Sequence, residues 1–186
     1  MKFIDVKKCK FTVEPKYYFF GWTKSAKILG RESAVKALIK ARKFLPKGYN
    51  FKIWDCKRPL KVQLAMLKSF KRRLSLLYPK LSQKDLKKIV LKFGAKPLRR
   101  VLRLDTHRLG GSFDLTIIDK NKNELYMGAD FDDLTQKAKT DYFENRKQLT
   151  LLEREAKKNR RFLKRIMIKA GFKNYAAEWW HWSFDK

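Results

Sequence analysis

The chain holds only two histidines, His107 and His181, and each stands near a carboxylate. Asp114 follows His107 beyond a Gly110-Gly111 turn, and Glu178 precedes His181 by three residues. A lone histidine is more often a satisfied core or surface residue than a ligand. That bland reading weakens where both histidines of a chain flank glycines or tryptophans with an acid close by. Two neutral imidazoles and one carboxylate form a zinc ligand set that leaves a fourth position for water or substrate. His107, Asp114 and His181 are therefore candidate ligands of one Zn2+ per chain. Glu178 is the candidate general base, because a carboxylate can accept a proton from water and deliver it to a departing amine. Residues three apart in a flat strand point to opposite faces, so Glu178 and His181 can share a site only across a bulge or turn at Trp179-Trp180. The chain has no His-Glu-x-x-His helix, the commoner zinc-peptidase pattern.

These side chains need elements to carry them. Phe113 to Ile118 reads as a strand after the glycine turn, with Asn121-Lys122-Asn123 as a hairpin turn into Leu125-Tyr126-Met127. Ala177 to Phe184 reads as a last strand. Phe51, Ile53 and Asp55 alternate in a short strand that ends at Asp55-Cys56-Lys57-Arg58-Pro59. Helical spacing runs from Arg31 through Ala34, Val35, Leu38, Ala41 and Leu45 to a stop at Pro46-Lys47-Gly48. A second helix follows Pro59, with Val62, Ala65, Met66, Phe70 and Leu74 inward. A third is capped at Ser82, buries Leu86, Ile89, Val90 and Phe93, and ends at Gly94 and Pro97. A long one spans roughly Leu149 to Ala170, with Leu152, Ala156, Phe162, Leu163 and Ile166 apolar, and stops at Gly171. The first thirty residues are aromatic and irregular and read as a strand or extended arm. This order predicts an α+β fold, one domain over 1–186, with a central antiparallel sheet flanked by helices.

A length of 186 residues suits one core, and 44% hydrophobic with 14% aromatic residues can build it despite 35% charged ones. A wholly disordered basic tail is excluded. Lysines and Asp5 interrupt Met1 to Phe11 before any signal-like apolar stretch forms, and no membrane span is visible, so a cytoplasmic location is expected. Cys9 and Cys56 read as free thiols. The 47 Lys and Arg against 18 Asp and Glu give a formal charge of +29, spread from Lys2 to Lys186. Such a surface leaves room for non-specific polyanion binding, with no specific nucleic acid expected. Trp179, Trp180 and Trp182 read as cavity walls or, less readily, as a base-stacking surface. Tyr17 to Trp22 reads as core or rim packing.

Four motifs resemble those of the D-alanyl-D-alanine dipeptidase family (VanX type). Asp105-Thr106-His107-Arg108-Leu109-Gly110-Gly111-Ser112-Phe113-Asp114 is similar to its Ser-x-His-x-x-Gly-x-Ala-x-Asp signature, and Glu178-Trp179-Trp180-His181 to its second signature. Asp55-Cys56-Lys57-Arg58-Pro59 resembles Asp-Gly-Tyr-Arg-Pro, and Met127 to Asp132 resembles Met-Gly-x-x-Phe-Asp. The resemblance covers Asp55 to the last residue. It implies the zinc-peptidase fold shared with hedgehog-type domains, and zinc-dependent hydrolysis of a small D,D-dipeptide to D-alanine in peptidoglycan metabolism of a bacterial type. It implies zinc on His107, Asp114 and His181, Glu178 as base, Arg58 as the cation beside the tetrahedral intermediate, and Asp132 as acceptor of the substrate ammonium. Asp130 or Asp133 takes that last role if the register is off by one.

Departures bear on the substrate. Asp105 stands where the family has a substrate-holding serine, and its charge would repel a substrate carboxylate. Ser112 replaces alanine and needs a hydrogen-bond partner. Cys56 and Lys57 replace glycine and tyrosine in the loop that aims Arg58. A cell-wall L,D- or D,D-peptidase of the same superfamily is the alternative reading, and a basic nucleic-acid-binding protein on a degenerate peptidase fold is the rival from another class. Oligomeric state is not legible.

Overall fold

The structure, a computed structural model, describes residues 1–94 and 103–186. Along the chain lie β1 (Phe3–Asp5), β2 (Thr12–Val13), α1 (Lys16–Phe19), β3 (Leu29–Arg31), α2 (Glu32–Arg42) and β4 (Asn50–Asp55). Then follow α3 (Leu60–Leu77), α4 (Gln83–Phe93), β5 (Ser112–Ile118), α5 (Leu151–Lys169), β6 (Lys173–Asn174) and β7 (His181–Ser183). The main sheet has the order β2-β4-β5-β7-β6, and β1 pairs with β3 separately. The α+β class is as expected, but the sheet is mixed. β2 runs parallel to β4 while the other neighbours are antiparallel. The chain between them makes a crossover through α1, β3 and α2, the kind of long connection a parallel pair needs. The aromatic first thirty residues thus form short strands and one helical turn instead of a single arm.

Alternation divides the sheet into two faces. Phe51 and Ile53 of β4, Phe113, Leu115 and Ile117 of β5, and Trp182 of β7 belong to one buried cluster with Leu38 of α2 and Leu163 of α5. The intervening residues of β5 and β7, including Ser112, Asp114, His181 and Ser183, occupy the opposite face. All seven residues of β5 are buried, so this second face is covered too. A second cluster, in which Tyr17 and Leu134 join Met66, Phe70, Leu86 and Val90 of α3 and α4, forms beside it.

The helices follow their local signals. Ser82 caps α4 by accepting from the Asp85 N–H, and Thr150 with Glu153 forms a reciprocal capping box at α5. At the other end of α5, Phe172 N–H donates to Met167 O and Gly171 N–H to Ile168 O, closing a Schellman motif. Pro97 lies outside the described residues. Three expectations change, the first being the last strand, which runs only over His181–Ser183 instead of Ala177 to Phe184. Leu152 is exposed, while Met167, Asn159 and Arg160 hold buried positions of α5. The Asn121–Asn123 turn forms, with Asp119 Oδ1 accepting from both Asn121 and Asn123 N–H. Beyond it, however, only an Ile118–Glu124 bridge forms, and Leu125-Tyr126-Met127 is no strand.

The reason lies in α5. Asn159 Nδ2 donates to Tyr126 O at 2.9 Å, and the Arg160 guanidinium donates to the carbonyls of Met127, Lys137 and Lys139 at 2.6–2.8 Å. Burial among these neutral acceptors pushes the Arg160 pKa down to about 10. Arg160 therefore clamps both ends of the loop that carries Asp132. Arg160→Leu should lower unfolding free energy by about 3 kcal/mol or more, since each buried acceptor left without a donor costs about 1–3 kcal/mol. Urea denaturation measures the loss, and limited proteolysis should find new cleavage between residues 127 and 139.

Candidate functional site

Three local devices bring the candidate ligands together. The β5–β7 register sets Asp114 directly opposite His181. A bulge in β4 between Ile53 and Asp55 sets Asp55 opposite Asp114 instead of continuing the alternation of Phe51 and Ile53. His107 sits in a 3-10 turn, His107–Leu109, that Thr106 caps and Gly110 ends at φ 67°. Gly110 needs its left-handed conformation, and a Cβ on Gly111 would lie 1.8 Å from the Leu104 carbonyl oxygen. The two glycines thus fold His107 back over β5.

The hydrogen bonds fix both tautomers. His107 Nδ1 lies 2.7 Å from Cys56 O and 3.2 Å from Asp55 Oδ2, two acceptors, so it carries the proton. Ser112 donates to Asp105 O at 2.8 Å; its Oγ therefore accepts from Ser183 Oγ, 2.9 Å away. Ser183 Oγ is left to accept from His181 Nε2 at 3.0 Å. The added hydroxyl of Ser112 finds its partners and orders this chain. The remaining atoms, His107 Nε2, His181 Nδ1 and Asp114 Oδ1, are all lone-pair donors, and they lie 3.1, 3.2 and 3.3 Å from one another. With both imidazoles in these neutral tautomers the three atoms offer one another only lone pairs, an arrangement that a cation would complete. The separations are close to the edge of a tetrahedron with bonds of about 2.0–2.1 Å, as Zn2+ prefers with nitrogen and oxygen ligands. The cluster fits one such ion.

Around it the charges are dense. Arg58 Nη2 donates to Asp114 Oδ2 and Nε to Asp55 Oδ2, each at 2.8 Å, and Tyr17 packs under the guanidinium at 4.9 Å. Burial opposes the Arg58 charge, but the surrounding Tyr17 and carboxylates overcome it and raise its pKa. Glu178 is 8% exposed, with Oε2 3.7 Å from His181 Nδ1. Trp179-Trp180 form the turn that lets residues 178 and 181 share a face, with the His181 N–H donating to Glu178 O. Asn174 Nδ2 donates to the carbonyls of Glu178 and His181, at 3.1 and 3.0 Å, and locks the turn. Burial first, then the charges of Asp114 and Asp132, push the Glu178 carboxyl well above its usual range.

A cavity of about 650 Å³ opens here, lined by Arg58, Asp105, His107, Asp114, Asp132, Glu178 and His181. Asp132 adopts φ 58°, and its Oδ2 is enclosed without a hydrogen-bond partner. Burial, reinforced by Asp114 and Asp55 against Arg58, pushes its pKa up to about 8. Asp130 is exposed and Asp133 Oδ1 accepts from Thr135 N–H; neither lines the cavity. Asp105 lies at the wall, but Arg103 grips both its oxygens at 3.1 and 2.7 Å and lowers its pKa, so its charge is offset. Sequence reasoning missed Arg103 and gave no role to Asp55 or Ser183. The two-residue spacing of Ser183 from His181 was the available signal, since it places them on one face. Trp179, Trp180 and Trp182 are buried and present no stacking surface, while Tyr17 is core.

The model of the D-ala-D-ala dipeptidase family matches residues 19–186. The chain belongs to this family. A D-alanyl-D-alanine dipeptidase of Synechocystis sp. is 28% identical over 98 residues, 50% of this chain and 40% of that protein. One of Escherichia coli is 33% identical over 80 residues, 43% of this chain and 38% of that protein. The chain thus aligns with about two fifths of the length of these relatives. The convergent donors His107, Asp114 and His181 all lie within the residues that the family model matches.

Chelator-treated protein should take up one zinc per chain by calorimetry. Ser183→Ala, which strips His181 Nε2 of its acceptor, should weaken that uptake by about 10–100-fold. A second expectation concerns Asp132. Its raised pKa means the fold holds a proton that the unfolded chain releases, so its contribution to stability falls as pH rises from about 4 toward 8. In metal-free protein Asp132→Asn should melt like wild type at pH 4 and increasingly above it up to pH 8. A constant offset in scanning fluorimetry would contradict this assignment.

Proposed function

We propose that the chain hydrolyses D-alanyl-D-alanine to two D-alanine molecules in a zinc-dependent reaction. The observation that carries this reading is the placement of Asp132, whose Oδ2 is enclosed without a hydrogen-bond partner, in one cavity with three convergent lone-pair donors. An incoming ammonium would complete Asp132, and the bond cleaved would be the first peptide bond from that amine. A longer amino-terminal extension would present a neutral amide there, leaving the carboxylate unsatisfied.

His107, Asp114 and His181 would hold Zn2+, whose Lewis acidity polarises a carbonyl and activates water. Glu178 would take the proton of the attacking water as the C–O bond forms. It would return that proton to the amide nitrogen as the C–N bond breaks, releasing a free amine and a carboxylate. Arg58 holds Asp114 in place and sets a fixed positive charge beside the developing oxyanion, with no reorganisation needed during reaction. The Arg103–Asp105 pair, in place of the family serine, favours a second reading in which another cell-wall peptide of the same chemical type is preferred. Among the described residues no helix is long and apolar enough to cross a membrane. Both cysteines are free, which suits the cytoplasmic location expected from sequence.

Zinc-loaded protein should release D-alanine from D-Ala-D-Ala, and Glu178→Gln should lower kcat by roughly 10²–10⁴-fold. N-acetyl-D-Ala-D-Ala should resist cleavage. A folded, zinc-loaded protein that released no D-alanine would rule out this substrate; cleavage of the acetylated one at equal rate would remove Asp132 from the mechanism.

A further inference from the structure

A second cavity of about 630 Å³ lies between α5 and the Pro46–Tyr49 turn and shares no lining residue with the first. Its charge is of one sign. Arg154, Lys157, Lys158, Arg161 and Arg165 line it, and among the described residues no acidic one does. Lys157 and Arg161 lean on Glu144 at 3.3 and 2.6 Å. Arg154, Lys158 and Arg165 have no carboxylate partner among the described residues. Cations three and four residues apart on a helix face repel one another, a repulsion that an anion laid along this face would relieve.

The shape and lining indicate which anion. From residue 154 to residue 165 the cations run along about 16 Å of helix, too long for one phosphate and suited to several in succession. Two half-buried aromatic rings, Tyr49 and Phe162, line the same groove, and the Arg165 guanidinium lies 5.6 Å from the Phe162 ring centroid. Rows of cations beside flat rings are the recognition chemistry of unpaired nucleotides: phosphates pair with the cations and bases stack on the rings. A second copy of this chain would bring its own +29 charge and is disfavoured. A lipid surface would call for exposed aliphatic side chains, and the only leucine in the groove, Leu125, is half-buried. We propose that this groove binds single-stranded nucleic acid, without sequence preference and separately from the proposed peptidase site.

The test is fluorescence anisotropy of a labelled 12-nucleotide DNA strand of mixed sequence with the full zinc-loaded chain, across a salt series. Lys158→Glu/Arg165→Glu should weaken binding at least tenfold more than Lys68→Glu/Lys71→Glu, which changes net charge equally on the exposed side of α3. The neutral pair Lys158→Gln/Arg165→Gln should reduce the slope of log K against log salt by about 1.4, at about 0.7 per phosphate contact on a single strand. Tyr49→Ala, at unchanged charge, should cost roughly tenfold through lost stacking. Unaltered melting temperatures for the α5 pairs, whose residues are exposed, show that the fold is intact. Equal losses in the α3 and α5 charge reversals would overturn the proposal, as would full binding by Tyr49→Ala. Groove-dependent binding to anionic phospholipid vesicles, with none to the strand, would overturn it in favour of a lipid surface.

Discussion

Asp114 is a carboxylate with almost no solvent, and both of its oxygens are committed. Oδ2 accepts from Arg58, while Oδ1 faces the two imidazoles. Taking a charge out of water is costly, and attraction to a partner repays this only where geometry and further hydrogen bonds are good. Here the cost is met from several directions, which obliges the surroundings to take one arrangement. Arg58 must reach inward from the end of β4, and Tyr17 must pack under it. The bulge that brings Asp55 alongside then gives the guanidinium its second carboxylate and places another acceptor beside His107 Nδ1. Burial of one acid thereby dictates the positions of three strands and the loop after β4.

The electrostatic balance follows from the same point. Asp55, Asp114, Asp132 and Glu178 form one set around the buried guanidinium of Arg58, while Arg103, Arg108 and Lys173 also line the cavity. Burial first, and then the repulsion of neighbouring carboxylates, raises the pKa values of Asp55, Asp132 and Glu178. A dication and one ammonium would bring the fully ionised set to neutrality. The protein alone is therefore charged wrongly for its own interior, as expected of a site organised around partners it does not itself supply.

Much of this was legible in sequence because the chemistry is carried by rare residues. Two histidines, each with a nearby acid, leave few ways to assemble a nitrogen-rich site, and the helix signals at Pro59, Ser82 and Gly171 are local. What sequence hid was set by long-range pairing. The parallel seating of β2 depends on a partner forty residues away, and Leu125-Tyr126-Met127 was drawn from strand to loop by Asn159 and Arg160 of α5, which read as ordinary helix-surface residues. Asp55 was visible as part of a motif, but its contact with His107 depends on a bulge that alternation cannot announce. Asp105 looked repulsive because Arg103, two residues earlier, was not weighed as its partner.

The Asp132 loop is held by α5, whereas the metal-ligating candidates hang from β5, β7 and the turn before β5. The two sets meet at Trp179, whose N–H donates to Ala138 O at 2.9 Å and whose indole Nε1 donates to Ala129 O at 3.2 Å. Bond cleavage and amine recognition are therefore coupled through one buried tryptophan at the two ends of the loop. Lineages could remodel the stretch between residues 129 and 138, lengthening or recharging it to admit new amino-terminal groups, while inheriting the hydrolytic centre intact, provided the carbonyls held by Arg160 and Trp179 stay where those residues can find them.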